Sequence, residues 1–210
     1  MAESNERKIV IDIPLIPGTD FIIGQGFNSP FSHRKFPTID LTHSVDFVVP
    51  VGTPITAVQD GVVKSIAKFR NCYRGFDERV GRNAWSTNID VRHPQFEQAK
   101  DKGDILSMMQ HLDPDSIQVK EGEEVTRGQV LAYTGLTGWV GPIPHLHLSM
   151  MDTGHQYLTT VPFQFRDYQG SLADGQIAYE LFLSAQFGTE MDKAIFAARE
   201  DAHSFMATLR

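Results

Sequence analysis

The sequence predicts an antiparallel all-β body followed by a C-terminal amphipathic helix, and three observations carry that reading. Short runs rich in β-branched residues recur along most of the chain. Gly and Pro, 17 and 11 of the 210 residues, punctuate the chain between those runs. No helix-length periodic stretch intervenes before about residue 170, and several short strands separated by turn signals make an antiparallel body rather than an alternating α/β one. In order, the runs are Lys8–Ile13, closed by Pro14; Val45–Val49, closed by Pro50; and Gly61–Ala67, opened by its own glycine. Thr87–Arg92, Asp104–Met109, Gln129–Thr134 and His145–Met151 follow. The intervening stretch Phe69–Trp85 is rich in Arg, Asp and Gly and reads as a long loop, either a solvated excursion or a flap lining a substrate groove. Near the end, Thr189 is an N-cap with Glu190 in the first turn, and Met191, Ile195, Ala198, Ala202, Phe205 and Leu209 recur at steps of four and three. That pattern predicts an amphipathic helix of about twenty residues, docked on the sheet or offering a homodimer contact. The expected organisation is therefore an N-terminal extension over 1–20, a β domain over 21–168 and a helical appendage over 169–210.

Composition narrows the function classes. Lys plus Arg number 19 against 26 for Asp plus Glu, a net charge of −7. Affinity for a phosphate backbone comes mainly from Lys and Arg, so nucleic acid is a poor candidate partner. With Cys72 alone there is no internal disulfide and no multi-cysteine metal site, and the thiol reads as structurally incidental. The apolar stretch after the polar start is cut by Asp12, Pro14 and Pro17, so it is neither a signal-peptide core nor a membrane span, and no uncharged apolar run of about 18 residues occurs elsewhere.

Histidine carries the chemistry. The chain has no G-x-S-x-G elbow, no P-loop and no H-E-x-x-H helix, but it has eight histidines. On a strand, His145 and His147 project from one face while Leu146 faces the core. Such a pair can share a metal, or one imidazole can hold it while the other handles a proton on water. His111 ends the strand-like run Ile105–Gln110 just before the turn-former Asp113-Pro114, a natural place for a group on a groove rim. Asp46 sits within Val45-Asp46-Phe47-Val48-Val49, where a carboxylate must be exposed, paired or metal-bound, because burying it alone is prohibitively costly. His93 reads as structural or as a supporting residue, and His203 as a surface residue of the C-terminal helix.

Four blocks in order complete the pattern: DFVVPVGTPITAVQDGVV from Asp46, QHL at Gln110–Leu112, VKEGEEVTRGQVLAYTGLTG at Val119–Gly138 and HLHLSM at His145–Met150. Together they resemble the lysostaphin-type (LytM-like) zinc endopeptidases that cut peptide cross-links of bacterial cell walls, over a span from Gly24 to Asp152. The resemblance implies a duplicated-hybrid-motif type of β-sheet with a zinc groove and one Zn2+ per chain. It maps zinc ligands to Asp46 and His147 and a catalytic pair to His111 and His145, without deciding which of the two is the base. Two imidazoles and a carboxylate suit zinc and leave a fourth position for water. The family's usual third ligand lies four residues before the aspartate, where this chain has Thr42. His33, in a Phe-Ser-His that some similar sequences also carry, is favoured as the substitute. His43 is the alternative, although an i, i+3 pair on a strand faces opposite sides and would need a bulge.

The expected activity is zinc-dependent hydrolysis of peptide bonds in peptidoglycan stems or cross-bridges, with Trp139 as a groove wall and the cell envelope or the extracellular space as the site of action. The alternative is a non-catalytic LytM-like domain that binds cell-wall peptides or regulates a partner hydrolase. Thr42 motivates it, and the joint presence of Asp46, His111, His145 and His147 weighs against it. The hairpin from Val119 to Gly135 also resembles lipoyl and biotinyl carrier domains, but Gly122-Glu123-Glu124 offers no lysine to modify.

Overall fold

The computed structural model describes residues 9–29, 32–74, 84–96, 103–141, 143–155 and 158–166. Fifteen strands run through them: β1 (Ile9–Ile11), β2 (Ile22–Gln25), β3 (Ile39–Asp40), β4 (Ser44–Val48), β5 (Pro54–Thr56), β6 (Gly61–Ala67), β7 (Cys72–Tyr73), β8 (Asn88–Arg92), β9 (Ile105–Gln110), β10 (Glu124–Val125), β11 (Val130–Tyr133), β12 (Gly138–Trp139), β13 (His145–Asp152), β14 (Leu158–Thr160) and β15 (Phe163–Phe165). Each of the seven predicted runs overlaps one of them. The strands that periodicity did not reveal are mostly two to four residues long, too short to show an alternation.

Nine strands form the main sheet, in the order β10-β6-β8-β9-β13-β14-β3, with β4 also paired to β13 and β2 paired to β4. Pairing is antiparallel throughout this sheet except between β14 and β3. The short pairs β1–β15 and β12–β7 are parallel as well, which modifies the purely antiparallel expectation at the margins of the body. Among the described residues no helix is long and apolar enough to cross a membrane.

β13 is the spine of the sheet. It pairs with β9 along one edge and with β4 and then β14 along the other, and every residue from His145 to Met151 is buried. Its period of two sends Leu146, Leu148 and Met150 into the main core with Val45, Phe47 and Met109. His145, His147, Ser149 and Met151 go to the opposite face, where Met151 packs with Leu106 and Met108. One face of the strand thus holds the sheet on the core, each buried Leu contributing about 1.5–3 kcal/mol of transfer free energy, and the other face carries the polar site.

Part of the stretch expected to be an N-terminal extension belongs to this body. Ile9, Ile11 and Leu15 are buried in the main core, and β1 adds to β15 in register Ile9↔Phe163 through Ile11↔Phe165. The alternation of Ile9 and Ile11 supplies the buried face that a strand needs. The expected helix over 191–209 and the appendage 169–210 lie outside the described residues. The stretch Phe69–Trp85, expected as a loop, is described only at its ends, where Cys72–Tyr73 pairs in parallel with Gly138–Trp139.

Candidate metal centre

The site begins with register. Asp46 on β4 lies directly across from His147 on β13, and His147 is flanked on its other side by Gln110 of β9. Paired residues share a face, so this register alone brings a carboxylate and an imidazole together. The Asp46 Oδ1 atom is 2.8 Å from His147 Nδ1. His33 arrives from the segment after β2, with its Nε2 3.2 Å from the same oxygen. The structure therefore gathers His33, Asp46 and His147, all buried, with one ligand atom from each lying within 4.8 Å of the others.

The tautomers follow from the partners. His33 Nδ1 is 2.9 Å from the Gly26 carbonyl, which can only accept, so Nδ1 carries a proton. Nε2 of the same ring is fully buried, close to the Asp46 carboxylate, and has no hydrogen-bond partner. Neutral His33 would turn a lone pair toward a carboxylate with nothing between them, an arrangement that a cation held between the two atoms resolves. His147 Nε2 lies 3.0 Å from the Ser149 hydroxyl, which in turn lies 2.8 Å from that of Ser44. Without a cation His147 Nδ1–H donates to Asp46 Oδ1 and Nε2 accepts from the Ser149 hydroxyl; a cation held at this point would take the Nδ1 lone pair, with Nε2–H then donated to Ser149. A tetrahedral zinc with bonds of about 2.0–2.1 Å holds its ligand atoms about 3.3 Å apart. The observed 2.8 and 3.2 Å are close to that spacing, and an N2O donor set suits zinc.

Burial alone would raise the Asp46 carboxyl, but the His33 and His145 imidazoles and the His147 hydrogen bond hold it well below the usual carboxylate range. Burial, with the His33 and His145 imidazoles acting the same way, lowers His147, while its contact with Asp46 pulls in the other direction. The carboxylate is therefore ionised and the His147 ring neutral at neutral pH, the forms in which both bind a metal.

Two further imidazoles face this cluster. His145 lies two residues before His147 on the same face, its Nε2 3.8 Å from Asp46 Oδ2. Its Nδ1 donates to the Ile143 carbonyl at 2.9 Å. His111 follows the end of β9 in the left-handed region (φ 66°), unusual for a residue with a Cβ. Its backbone N–H donates to Ser86 Oγ at 2.7 Å and its carbonyl accepts from Gly135 N–H at 2.7 Å, and these two bonds hold the turn. The ring's Nδ1 donates to the Thr137 carbonyl at 2.8 Å, and its centroid lies 4.6 Å from that of His145. Both imidazoles thus spend Nδ1–H on a backbone carbonyl, which turns Nε2 of each ring toward the site. Burial, together with the neighbouring His145 and His147 rings, holds His111 well below the usual histidine value, so it is a neutral base at pH 7.

Asp46, His147, His111 and His145 line a cleft of about 430 Å³, together with Trp85, Trp139, Phe36, Ile39 and Leu158. Trp85 is two-thirds exposed (66%) and stacks on Phe69, with ring centroids 5.9 Å apart. The end of the 69–85 stretch thus contributes to the groove.

His43, the alternative ligand, lies outside the cluster. Its Nδ1 donates to the Thr160 carbonyl (3.2 Å) and its ring meets Phe27 edge to face at 5.3 Å. β4 keeps its pleat through Asp46, so the residue three positions earlier faces away, as strand geometry demands. His93 is also elsewhere, buried between the Asp60 carbonyl and the Ser107 hydroxyl, both at 2.9 Å. Sequence reasoning missed Gln25, Ser86, Thr137 and Ser149, which contact site residues directly, and Ser44, which holds Ser149. Ser149 and Ser44 carried a usable signal, because each lies two residues from His147 or Asp46 on the same strand face.

Comparison with known proteins adds the following. Residues 41–158 match the model of peptidase family M23, a segment that begins after His33. Over 132 residues the chain is 30% identical to peptidoglycan DD-endopeptidase ShyC of Vibrio cholerae serotype O1. That match covers 63% of this chain and 25% of the relative, so the chain spans about a quarter of the relative's length. Among solved structures, the lysostaphin catalytic domain from Staphylococcus simulans is similar at 22% identity and a TM-score of 0.44, covering 65% of this chain and 84% of that one. A zinc containing peptidase from Vibrio cholerae is similar at 27% identity and a TM-score of 0.45, covering 73% and 39%.

Proposed function

The chain belongs to peptidase family M23, and from that premise we propose that it is a zinc-dependent endopeptidase that hydrolyses peptide bonds in the stems or cross-bridges of bacterial peptidoglycan. The observation that carries the metal is the buried His33 Nε2, partnerless and 3.2 Å from a carboxylate oxygen, with His147 Nδ1 on the same oxygen. The substrate class rests on the resemblance of the four sequence blocks and on the related DD-endopeptidase. Peptidoglycan lies outside the cytoplasmic membrane, so the proposed site of action is the cell envelope.

His33, Asp46 and His147 would hold one zinc. When bound, the ion supplies Lewis acidity toward the scissile carbonyl and acidifies water. The protein's own residues handle the protons. One of His111 and His145, neutral with its lone pair on Nε2, accepts a proton from the attacking water as the O–C bond forms. The other, as the imidazolium with a proton on Nε2, donates a hydrogen bond to the carbonyl oxygen as charge develops there, and the proton taken from water passes to the leaving nitrogen as the C–N bond breaks. The Thr137 and Ile143 carbonyls fix each ring's tautomer throughout, because an Nδ1–H bound to a carbonyl directs the basic nitrogen to Nε2. The cleft walls around Trp85, Trp139 and Leu158 would hold the peptide and exclude water from the reacting bond.

The test is the metal content of the purified protein by elemental mass spectrometry, followed by digestion of purified peptidoglycan with product analysis by liquid chromatography and mass spectrometry. The expected result is close to one zinc per chain, new amino termini in the products, loss of both on chelation and recovery with zinc. A chain that binds no zinc when it is supplied, or that holds zinc and cuts neither peptidoglycan nor its cross-linked peptides, would overturn the proposal.

A further inference from the structure

Gln25 is a buried polar residue (2% exposed) at the end of β2, beside the metal-binding carboxylate, and the chemistry above does not use it. It reaches the site through an irregularity. β2 pairs with β4 as Ile22↔Val48 and Ile23↔Phe47, and the register then shifts so that Gln25 opposes Asp46. In an unbroken ladder Gly24 would take that place, and Gln25 would turn to the core face, opposite Val45. The extra residue therefore moves a carboxamide from the apolar face to the metal face.

Its amide orientation is fixed by its partners. Oε1 accepts from the Ser32 backbone N–H at 3.2 Å and from the Ser29 hydroxyl at 3.0 Å, so Nε2 faces Asp46 Oδ2, which it reaches at 2.7 Å. The Ser32 hydroxyl lies 3.0 Å from Nε2 and 3.2 Å from Oε1. The two oxygens of Asp46 are thereby divided. Oδ1 faces His33 and His147, and Oδ2 is capped by Gln25. Gln25 holds Ser29 and Ser32, Ser32 directly precedes His33, and the neighbouring Gly26 carbonyl holds the His33 ring.

We propose that Gln25 is a positioning residue of the metal centre: its carboxamide restricts Asp46 to one coordinating oxygen and ties that carboxylate to the segment that delivers His33. A neutral amide suits this task. It spends one donor on Oδ2 without adding a positive charge that would compete with a cation, and without adding a second carboxylate that would bind it. The device answers the loss of the usual ligand at Thr42: a histidine supplied by a separate segment needs a strut to the aspartate, and β2 supplies it. This inference rests on the proposed zinc site.

The test uses the full chain and the metals Zn2+ and Co2+ alone. Zinc affinity is measured by chelator competition, and the coordination of the Co2+ form is read from its visible d–d spectrum. Gln25→Leu keeps the bulk and removes the donor. It is expected to weaken zinc binding by roughly 10–100-fold, the range for partners that orient metal ligands. Its Co2+ spectrum is expected to lose intensity as the released Oδ2 joins the coordination sphere. The double variant Ser29→Ala/Ser32→Ala leaves Gln25 in place and removes the hydroxyls that hold it, and a smaller shift in the same direction is expected. If Gln25→Leu folds with wild-type affinity and spectrum, the inference is overturned. If Gln25→Leu does not fold, the serine variant decides, and unchanged affinity and spectrum there overturn it equally. Failure of the wild-type chain to bind either metal would instead sink the zinc reading on which the inference stands.

Discussion

Replacing His33 with Ala, beside His43→Ala, separates metal ligation from ordinary packing. In the metal-free protein His33 contributes one hydrogen bond, to the Gly26 carbonyl, and leaves Nε2 unsatisfied. A hydrogen bond is worth about 0.5–1.5 kcal/mol and a buried orphan costs about 1–3 kcal/mol, so these two nearly offset, and His33→Ala should cost the metal-free protein mainly the cavity and the His147 ring contact that the buried imidazole leaves, a loss equal with and without zinc. With zinc the two proteins should part. Loss of a ligand should exceed the roughly 10–100-fold penalty seen for outer-sphere partners. Each tenfold in Kd removes about 1.4 kcal/mol of ligand-linked stabilisation at fixed free zinc. The zinc-induced rise should therefore shrink by at least about 1.4–2.7 kcal/mol, which at roughly 2–4 °C per kcal/mol is about 3–11 °C in Tm. His43→Ala should do the opposite. It loses the Thr160 hydrogen bond and the Phe27 edge contact, together about 1–3 kcal/mol, with and without zinc alike. Thermal scans of the three proteins in chelator and in buffered zinc measure both quantities. A His33→Ala protein that keeps the full zinc response, or a His43→Ala protein that loses it, would refute the ligand assignment.

Three other outcomes are expected. His111→Ala and His145→Ala should each lower kcat by about 10²–10⁴-fold while retaining one zinc per chain, and loss of zinc in either would contradict the division between metal-binding and proton-handling residues. Gly138 has φ 79° and a Cβ there would lie 2.7 Å from Ser86 Cβ, so Gly138→Ala should cost about 1–3 kcal/mol in urea unfolding and reduce activity by disturbing the serine that holds His111. Gly122→Ala, at φ 81° in open space, should show only the backbone cost and leave activity alone. Burial lowers His93 below its unfolded value of about 6.5, so below that pH the unfolded chain gains a proton that the folded chain refuses. The stability His93 gives is complete above that value and falls as pH drops. His93→Gln, still able to serve the Asp60 carbonyl and Ser107, should flatten the decline in urea midpoint between pH 7.5 and 5.5, and an unchanged slope would remove His93 as a source of it.

What the sequence by itself determined was local in origin. The period of two in His145-Leu146-His147-Leu148 sends the imidazoles to one face and the leucines to the other wherever the strand is placed. Asp46 among Val45, Phe47 and Val48 signals a compensated carboxylate, because no unpaired charge survives such surroundings. Turn chemistry placed seven strands to within two residues at each end, and four ordered blocks carried the family. What only the tertiary structure decided depended on pairing between distant parts of the chain. The i, i+3 spacing of His43 and Asp46 favours His33, but spacing alone does not bring a distant histidine back to the aspartate. The pleat of β4 turns His43 away, and the segment anchored on Gln25 and Gly26 brings His33 in. Gln25 itself was hidden because one extra residue at Gly24 reverses the face it occupies, and a bulge exists only relative to its partner strand. The left-handed turn at His111 is set by Ser86 and Gly135, each more than twenty residues away in sequence. Face and periodicity are properties of neighbouring residues and can be read along the chain, whereas ligand geometry is fixed by register and closure between strands, which form only when the sheet assembles.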